Sequence, residues 1–442
     1  MKLNVKRTFL VGLAFMSISA FWNLYDTMVP LILDQTYGLR ETWTGVVMAM
    51  DNIAALFLLP FFGALSDRKG RRIPFILGGS MAAAVLSIAL TLVVRQGVAA
   101  PVRGQGLWAF LVVLALLLIA MGTYRSPAVA LMPDVTPKHL RSKGNAIINL
   151  MGAIGGALVL VLPTFMVRRV MTGSGTEVGD YTWLFVTVAI LMAASAWVVK
   201  MVIPEERLKR EADAVNAARE AAHKDRQEQV DNTGAPLRKL DKGQRRSLLL
   251  ILSSVFLWYM AYNAITTAFS RYAIKVWEID EGDASLCLLL ATAAAILSYW
   301  PVGVVSSRVG RKKVILAGVA MLATGFAAGF LLPGLSVLAF AAFALVGIGW
   351  AAINVNSYPM VVEMASGSDV GKYTGYYYTF SMAAQVLTPV LSGALMEYVG
   401  YWTLFAYAAV MAALAFLTML FVRHGDSKPE AKKGLEALDV ED

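Results

Sequence analysis

The stretch Gly63-Ala-Leu-Ser-Asp-Arg-Lys-Gly-Arg-Arg72 is followed, 240 positions later, by a similar stretch, Gly303-Val-Val-Ser-Ser-Arg-Val-Gly-Arg-Lys312. Both begin with glycine, share a serine and an arginine at equivalent positions, and end in glycine followed by two basic residues. Each stretch joins two long apolar runs of the chain. Because the same kind of stretch recurs between long apolar runs and runs in the same direction along the chain, the sequence predicts two homologous halves in one chain.

Outward from these two loops, the sequence is a series of long apolar runs. Of its 442 residues, 58% are apolar and 16% are charged, whereas a soluble domain usually carries about a quarter charged residues. A helix that crosses a bilayer needs roughly 20 mostly apolar residues, and its backbone groups must be paired within the segment. Such runs lie at residues 9–33, 43–65, 73–94, 106–132, 144–167, 181–203, 247–270, 285–306, 314–333, 335–362, 374–397 and 400–422. The sequence therefore predicts an all-α membrane protein with twelve transmembrane helices in two pseudo-symmetric six-helix halves.

The polar segments between these runs define the domain organisation. We predict a first six-helix half at 1–203, a cytoplasmic linker at 204–246, a second six-helix half at 247–423 and a cytoplasmic tail at 424–442. The linker is rich in Glu, Lys, Arg and Ala, which favour helix. The first run is longer than the apolar core of a signal peptide and contains polar residues, so we expect it to remain as a spanning helix.

The 39 lysines and arginines are unevenly distributed over the polar segments. Most of them lie in the N-terminal segment, in the loops after even-numbered runs, in the linker and in the C-terminal tail. The positive-inside rule places these segments and both termini in the cytoplasm. The same distribution accounts for the net charge of +9 without a nucleic-acid partner. We expect a monomeric multi-pass protein in the lipid bilayer of a plasma membrane or bacterial inner membrane.

The stretch from Gly63 to Arg72 resembles the signature loop between the second and third helices of the major facilitator superfamily. The resemblance implies a secondary transporter whose two halves rock around a central site. In that family the loop latches the cytoplasmic gate, which implies a gate role for Gly63, Asp67, Gly70, Arg71 and Arg72. We expect Asp67 to accept hydrogen bonds from Arg71, four residues on, or from a neighbouring helix N-terminus.

Four further charged residues lie at the predicted cytoplasmic ends of helices. They are Asp134, Arg141, Glu363 and Lys372. Asp134 and Glu363 end the fourth and tenth runs, which are equivalent places in the two halves. We predict that these four residues form salt bridges of the same cytoplasmic gate.

Two segments resemble one family of facilitators more narrowly, the sucrose and disaccharide–proton symporters. They are Gly70-Arg-Arg-Ile-Pro-Phe-Ile76 and Ser126-Pro-Ala-Val-Ala-Leu-Met-Pro-Asp134. Two departures concern the coupling chemistry. Val129 stands where the family has arginine, while Arg125 lies one turn earlier, and an acidic residue that the family carries two turns before this segment is absent. The resemblance implies transport of a sugar.

Three charged residues stand out inside the apolar runs, well away from their ends, namely Asp26, Asp51 and Arg125. A charge within the bilayer costs at least about 2.5 kcal/mol, and such residues generally serve function. At about 1.5 Å per residue, Asp26 and Asp51 fall at similar depths in the first and second runs. We predict that these carboxylates bind the coupling protons, with Arg125 as their counter-ion or as a substrate anchor. A purely structural ion pair and a sodium site are the alternatives.

Amide and aromatic side chains inside the runs are candidates for hydrogen bonding and stacking with a sugar. The predicted substrate-binding residues are Trp22, Asn23, Tyr25, Asn145, Asn149, Tyr259, Tyr262, Asn263, Asn354, Asn356 and Tyr377. Their alternative roles are interfacial anchoring for the aromatics and hydrogen bonding between helices for the amides.

These patterns predict a gradient-driven secondary transporter that takes up a disaccharide or glucoside with protons. The histidines lie outside the apolar runs, Cys287 is the single cysteine, and the sequence has no phosphate-binding loop. We therefore expect no enzyme activity, no cofactor and no metal. A proton-coupled exporter of drugs is one alternative. A membrane sensor or receptor is another, although it would need a sizeable soluble signalling domain.

Overall fold

The computed structural model describes residues 4–137, 140–227, 242–364 and 370–425. Within these residues, twelve helices are long and apolar enough to cross a membrane. In the first half they are α1 (Val5–Gln35), α2 (Glu41–Lys69), α3 (Ile73–Ala99), α4 (Leu107–Asp134), α5 (Arg141–Val161) and α6 (Thr182–Val202). In the second half they are α7 (Lys242–Val276), α8 (Glu281–Val309), α9 (Arg311–Leu331), α10 (Val337–Val362), α11 (Val370–Tyr398) and α12 (Thr403–Leu420). The predicted twelve-helix fold is confirmed.

Each half is built around its own hydrophobic core. In the first half, Phe21, Phe110 and Phe185 are buried together with leucines of α1, α4 and α6. In the second half, Phe269 and Phe405 are buried in a separate cluster. Two cores agree with the repeat in the sequence, because each six-helix unit buries most of its apolar side chains within itself.

Among the described residues, the halves meet through contacts of α1 with α7, of α2 with α11, and of α8 with both α5 and the helical turn Pro163–Met166. The approach of α2 to α11 is close enough to require glycine. A Cβ atom on Gly45 would lie 2.0 Å from the Pro389 carbonyl oxygen, and one on Gly393 would lie 2.5 Å from the Glu41 carbonyl oxygen. Any side chain at position 45 or 393 would therefore force the start of α2 away from the end of α11.

One connection departs from the all-helical prediction. After the short helical turn Pro163–Met166, the chain forms an antiparallel hairpin of β1 (Arg168–Met171) and β2 (Glu177–Asp180), with Arg168 opposite Asp180. Both strands lie in the loop between the fifth run, which ends at residue 167, and the sixth run, which begins at residue 181. A hairpin this short carries too little periodicity to be recognised beside an apolar run.

The linker begins with a helix, Glu205–Gln227, and its residues 228–241 lie outside the described part of the chain. Leu208 and Ala212, one turn apart on this helix, are buried. We call the end of the bundle that carries the linker helix and the α2–α3 and α8–α9 loops the basic face. The opposite end, which carries β1 and β2, is the hairpin face.

Candidate functional site

A cavity of about 870 Å³ lies between the two halves. Helices α1, α2, α4 and α5 line one wall, and α7, α10 and α11 line the other. Its lining extends along α4 to Pro133, next to the end of that helix at the basic face. At the hairpin face, the close contact of α2 with α11 closes the space between the halves. The cavity therefore extends towards the basic face and is closed off at the hairpin face.

The three charged residues predicted within the membrane all line this cavity. Asp26 and Asp51 interact electrostatically with each other, and both interact with Arg125. The Asn52 amide donates a hydrogen bond to Asp51 at 2.9 Å. The Arg125 guanidinium lies over the indole of Trp22, 5.1 Å from the ring centroid. Since Trp22 and Asp26 are four residues apart on α1, one helix face presents both to the arginine.

Amide side chains form much of the remaining polar lining. Those predicted from the sequence that line the cavity are Asn23, Asn145, Asn149, Asn263 and Asn354. The Asn23 amide donates to the Ser19 carbonyl at 3.0 Å. The Nδ2 atom of Asn263 is buried and has no hydrogen-bond partner among the described residues. Because Asn263 lines the cavity, this donor lies beside the space that a polar substrate would occupy, and buried donors are costly to leave unpaired.

Three predicted binding residues line neither this cavity nor the two cavities that adjoin it. The Tyr25 hydroxyl is buried and donates to the Val47 carbonyl at 3.4 Å. Tyr377 is buried, with its hydroxyl 2.9 Å from that of Ser357. Asn356 is buried and donates to the Ala352 carbonyl at 2.8 Å. Tyr25 therefore joins α1 to α2, Tyr377 joins α11 to α10, and Asn356 is bonded within α10. These three residues contribute to helix packing.

Aromatic side chains of the second half form a stack beside the amides. Trp350 and Tyr262 are stacked with 3.8 Å between ring centroids and 3° between planes. Tyr259 contacts Trp350 edge to face at 5.2 Å. Trp350 and Tyr259 line the main cavity, and Tyr262 lines the adjoining cavities. Trp350 was not among the residues predicted from the sequence, although it lies four residues before Asn354 and so shares its helix face.

The predicted gate residues of the first half form a cluster at the basic face. Gly70 ends α2 in the left-handed conformation at φ 67°, which glycine adopts without strain. The Arg72 guanidinium contacts Asp134 at 2.9 Å and also pairs with Asp67. Burial works against the charge of Arg72, but its hydrogen bonds to Asp134 and Asp67 hold its pKa above the ordinary value.

The expected pairing of Asp67 with Arg71 is wrong. Arg71 instead pairs with Glu206 of the linker helix, since Gly70 turns the chain and leaves Arg72 to face Asp67. Next to this pair, the Glu205 carboxylate accepts a hydrogen bond from the Ile73 backbone N–H at 3.0 Å. The linker thereby caps the first turn of α3.

In the second half, Glu363 pairs with Arg311. Arg141 donates to the Thr136 carbonyl at 3.3 Å, and the Lys372 ammonium lies 5.9 Å from the Tyr376 ring centroid. Gly63 lies close to Ser126, because a Cβ there would be 2.8 Å from the serine hydroxyl. The described gate contacts therefore lie within one half or between a half and the linker. A gate across the halves at this face stays a prediction.

Comparison with known proteins places the chain among transporters. A profile of the Major Facilitator Superfamily matches residues 11–277 and 251–440. Multidrug resistance protein MdtG from Salmonella paratyphi B and from Salmonella newport are each 28% identical over 152 residues. This alignment covers 34% of the chain and 33% of each relative, so the chain spans about a third of the length of these curated relatives.

Two solved structures share the fold over almost the whole chain. A mutant of the nucleoside transporter NupG matches with a TM-score of 0.68 at 15% identity, covering 95% of this chain and all (100%) of that one. A bacterial homologue of the human lysosomal transporter Spinster, in an inward-facing and occupied conformation, matches with a TM-score of 0.61 at 14% identity. It covers 94% of this chain and 93% of that one.

Proposed function

The chain belongs to the Major Facilitator Superfamily and is a secondary transporter, and from this premise we propose that it takes up a sugar, a disaccharide or glucoside, together with protons. The observation that carries the proposal is the division of the cavity into two chemically different walls. The two carboxylates and the guanidinium that line the cavity all lie on the first half, among amides and aromatic rings, whereas the lining of the second half consists of uncharged amides, hydroxyls, aromatic rings and apolar side chains.

The charged wall supports coupling to protons. Asp26, Asp51 and Arg125 share one site, so the first proton to bind removes one of two negative charges next to a single positive charge. The guanidinium is then balanced by one carboxylate. This change in charge alters the interaction of Arg125 with a substrate, which links proton binding to substrate binding.

The opposite wall supports a polyhydroxylated substrate. Asn263 and Asn354 offer both donors and acceptors to hydroxyl groups, and Gln385 of α11 lines the same cavity. Trp350 is fixed by its stack on Tyr262, which leaves a rigid aromatic surface at the cavity for the apolar face of a sugar ring. A volume of about 870 Å³ is ample for a disaccharide in a pocket of the usual size range.

Export of drugs is the second candidate function. It is favoured by the alignment with MdtG, whose name describes a multidrug resistance protein. Trp22 adds apolar surface to the cavity near Asp26, and Phe15 adds apolar surface further along α1, as a hydrophobic cation would require. The amides on the second half favour the sugar, because an apolar drug would leave them without partners.

Transport by purified protein in liposomes tests the proposal. A panel of labelled disaccharides and glucosides is offered with and without an inward proton gradient, and accumulation of one sugar is expected only with the gradient. Asp26→Asn should reduce accumulation at least about tenfold while sugar exchange without a gradient persists. Asp213→Asn, at an exposed site on the linker helix, is the matched control.

Sugar accumulation that survives Asp26→Asn unchanged would remove that residue from the coupling site. Flux of dyes or drugs with no flux of any sugar would establish the exporter alternative. A sodium gradient in place of the proton gradient distinguishes the two coupling ions in the same vesicles.

We further propose that the basic face is cytoplasmic, because the positive-inside rule assigns Lys-rich and Arg-rich loops to that side. The described state is then inward-open, since the cavity extends towards that face. We also propose that the monomer is the functional unit and that the chain lies in a plasma or bacterial inner membrane.

A further inference from the structure

Two buried carboxylates lie at the hairpin face, at equivalent positions of the two halves. Glu41 is the first residue of α2 and Glu281 is the first residue of α8. They are 240 positions apart, the same separation as the repeated loops. Their exposed fractions are only 5% and 2%. Acidic residues are seldom so buried unless they are paired.

The partners of Glu41 all come from the second half. Its carboxylate contacts the Arg271 guanidinium at 2.5 Å and the Lys275 ammonium at 3.2 Å. The Tyr401 hydroxyl donates a third hydrogen bond. Burial and the Glu41 charge raise the pKa of Tyr401, so its hydroxyl keeps the proton that it donates.

The partners of Glu281 all come from the first half. The Arg169 guanidinium contacts it at 2.8 Å, the Gln35 amide donates at 3.2 Å, and the Tyr181 hydroxyl donates at 3.0 Å. Burial and the Glu281 charge raise the pKa of Tyr181 in the same way. Each half therefore contributes one carboxylate, which is bound by three hydrogen-bond donors of the other half. We call each set of three donors a socket.

The two sockets are related by the internal repeat. Gln35 and Lys275 are 240 positions apart and lie at the ends of α1 and α7. Tyr181 and Tyr401 lie just before the last helix of each half. Only the arginines depart from the repeat, since Arg169 belongs to β1 and Arg271 to α7.

We propose that Glu41 and Glu281 form a reciprocal double latch that closes the transport path at the hairpin face. Among the described residues, the side-chain partners of each carboxylate all lie in the opposite half, so separation of the halves at this face must break both sockets. Each broken socket leaves a carboxylate and a guanidinium that need solvent. The latch thus favours the state open to the basic face, and each substrate cycle must release it.

Spin-label distance measurements in nanodiscs test the latch without any substrate. Labels at Gln105→Cys and Pro333→Cys, on exposed loops of the two halves at the hairpin face, are introduced into a Cys287→Ser background. Glu41→Gln and Glu281→Gln should each raise the fraction of molecules with a widened hairpin face by about tenfold. The double variant should raise it further. Glu278→Gln, an exposed glutamate in the same region as Glu281, is the matched control and should change nothing.

The proposal would be overturned if Glu41→Gln and Glu281→Gln both gave the same distance distribution as the Glu278→Gln control. The exchange of charges, Glu41→Arg with Arg271→Glu, keeps the test decisive if the single variants fold poorly. The exchanged pair should restore the distance distribution of the closed hairpin face. A widened fraction as large as that of Glu41→Gln would also contradict the latch. Because no sugar is added, these outcomes are independent of the proposed substrate.

Discussion

At the scale of single residues, the side chains that line the cavity differ from those that only pack. Asn263 and Asn356 are both amides of the second half, but they differ in their surroundings. Asn263 lines the cavity with a buried amide nitrogen that has no partner within the described residues. Asn356 is bonded to Ala352 and to Ser306. Substitution of Asn263 should therefore affect transport of the substrate, whereas substitution of Asn356 should affect the stability of the fold.

We predict that Asn263→Leu raises the KM for the transported sugar by about tenfold, which corresponds to one lost hydrogen bond of ~1.4 kcal/mol. Its thermal stability should stay close to that of the unmodified protein, because no described side-chain partner is lost. Transport kinetics in liposomes and thermal unfolding in detergent measure the two effects.

Asn356→Leu is the matched comparison for this prediction. It leaves the buried Ser306 hydroxyl without its acceptor and should lower the free energy of unfolding by about 1–3 kcal/mol. Equal KM effects from the two variants, with equal stability, would show that the cavity does not discriminate between them.

The sequence predicted the kinds of residue in the site better than their individual members. Asp26, Asp51 and Arg125 were predicted because charge is rare within apolar runs. Tyr377 was predicted from a run of three tyrosines, yet its neighbour Tyr378 lines the cavity and Tyr377 is buried. Successive residues of a helix point about 100° apart, and which one faces the cavity depends on neighbouring helices.

At the scale of helices, the close packing of α2 on α11 holds the hairpin face closed. We predict that Gly45→Ala opens this face, because its Cβ would lie 2.0 Å from the Pro389 carbonyl oxygen and the helices must separate. The same spin-label pair used for the latch should report an increase of at least about fivefold in the widened population.

Gly303→Ala is the control for this change, since nothing lies within 4 Å of a Cβ at that position. It should leave the distance distribution unchanged. If Gly45→Ala leaves the distances between the spin labels unchanged, the α2–α11 contact must adjust locally to the added methyl group. The helix packing would then not control access.

Helix boundaries were predictable to within a few residues, whereas contacts between distant helices were not. The apolar run at 43–65 corresponds to α2, which the structure extends by a basic and acidic turn to Lys69. Glu41 preceded that run and drew no attention, because its partner Arg271 is 230 residues away in sequence. The 240-residue repeat was the signal that could have linked Glu41 with Glu281.

At the scale of the whole molecule, the two-half architecture explains how one binding site can serve two sides of a membrane. The sockets of Glu41 and Glu281 and the α2–α11 contact lie at the hairpin face, while the cavity extends to the basic face. Rocking of one half against the other exchanges these arrangements around the fixed site. The repeat predicted this architecture, and the composition predicted the membrane. The substrate depends on the precise arrangement of cavity side chains, which composition does not encode.

Movement of protons driven by the sugar tests the central claim most directly. Purified protein is placed in liposomes that contain a pH-sensitive dye, with no initial pH gradient and with potassium and valinomycin to hold the membrane potential near zero. A sugar that accumulates under a proton gradient is then added outside. Proton symport should acidify the vesicle interior, and this acidification should be lost in Asp26→Asn and kept in Asp213→Asn. Sugar entry without any change in internal pH would contradict proton symport by this protein.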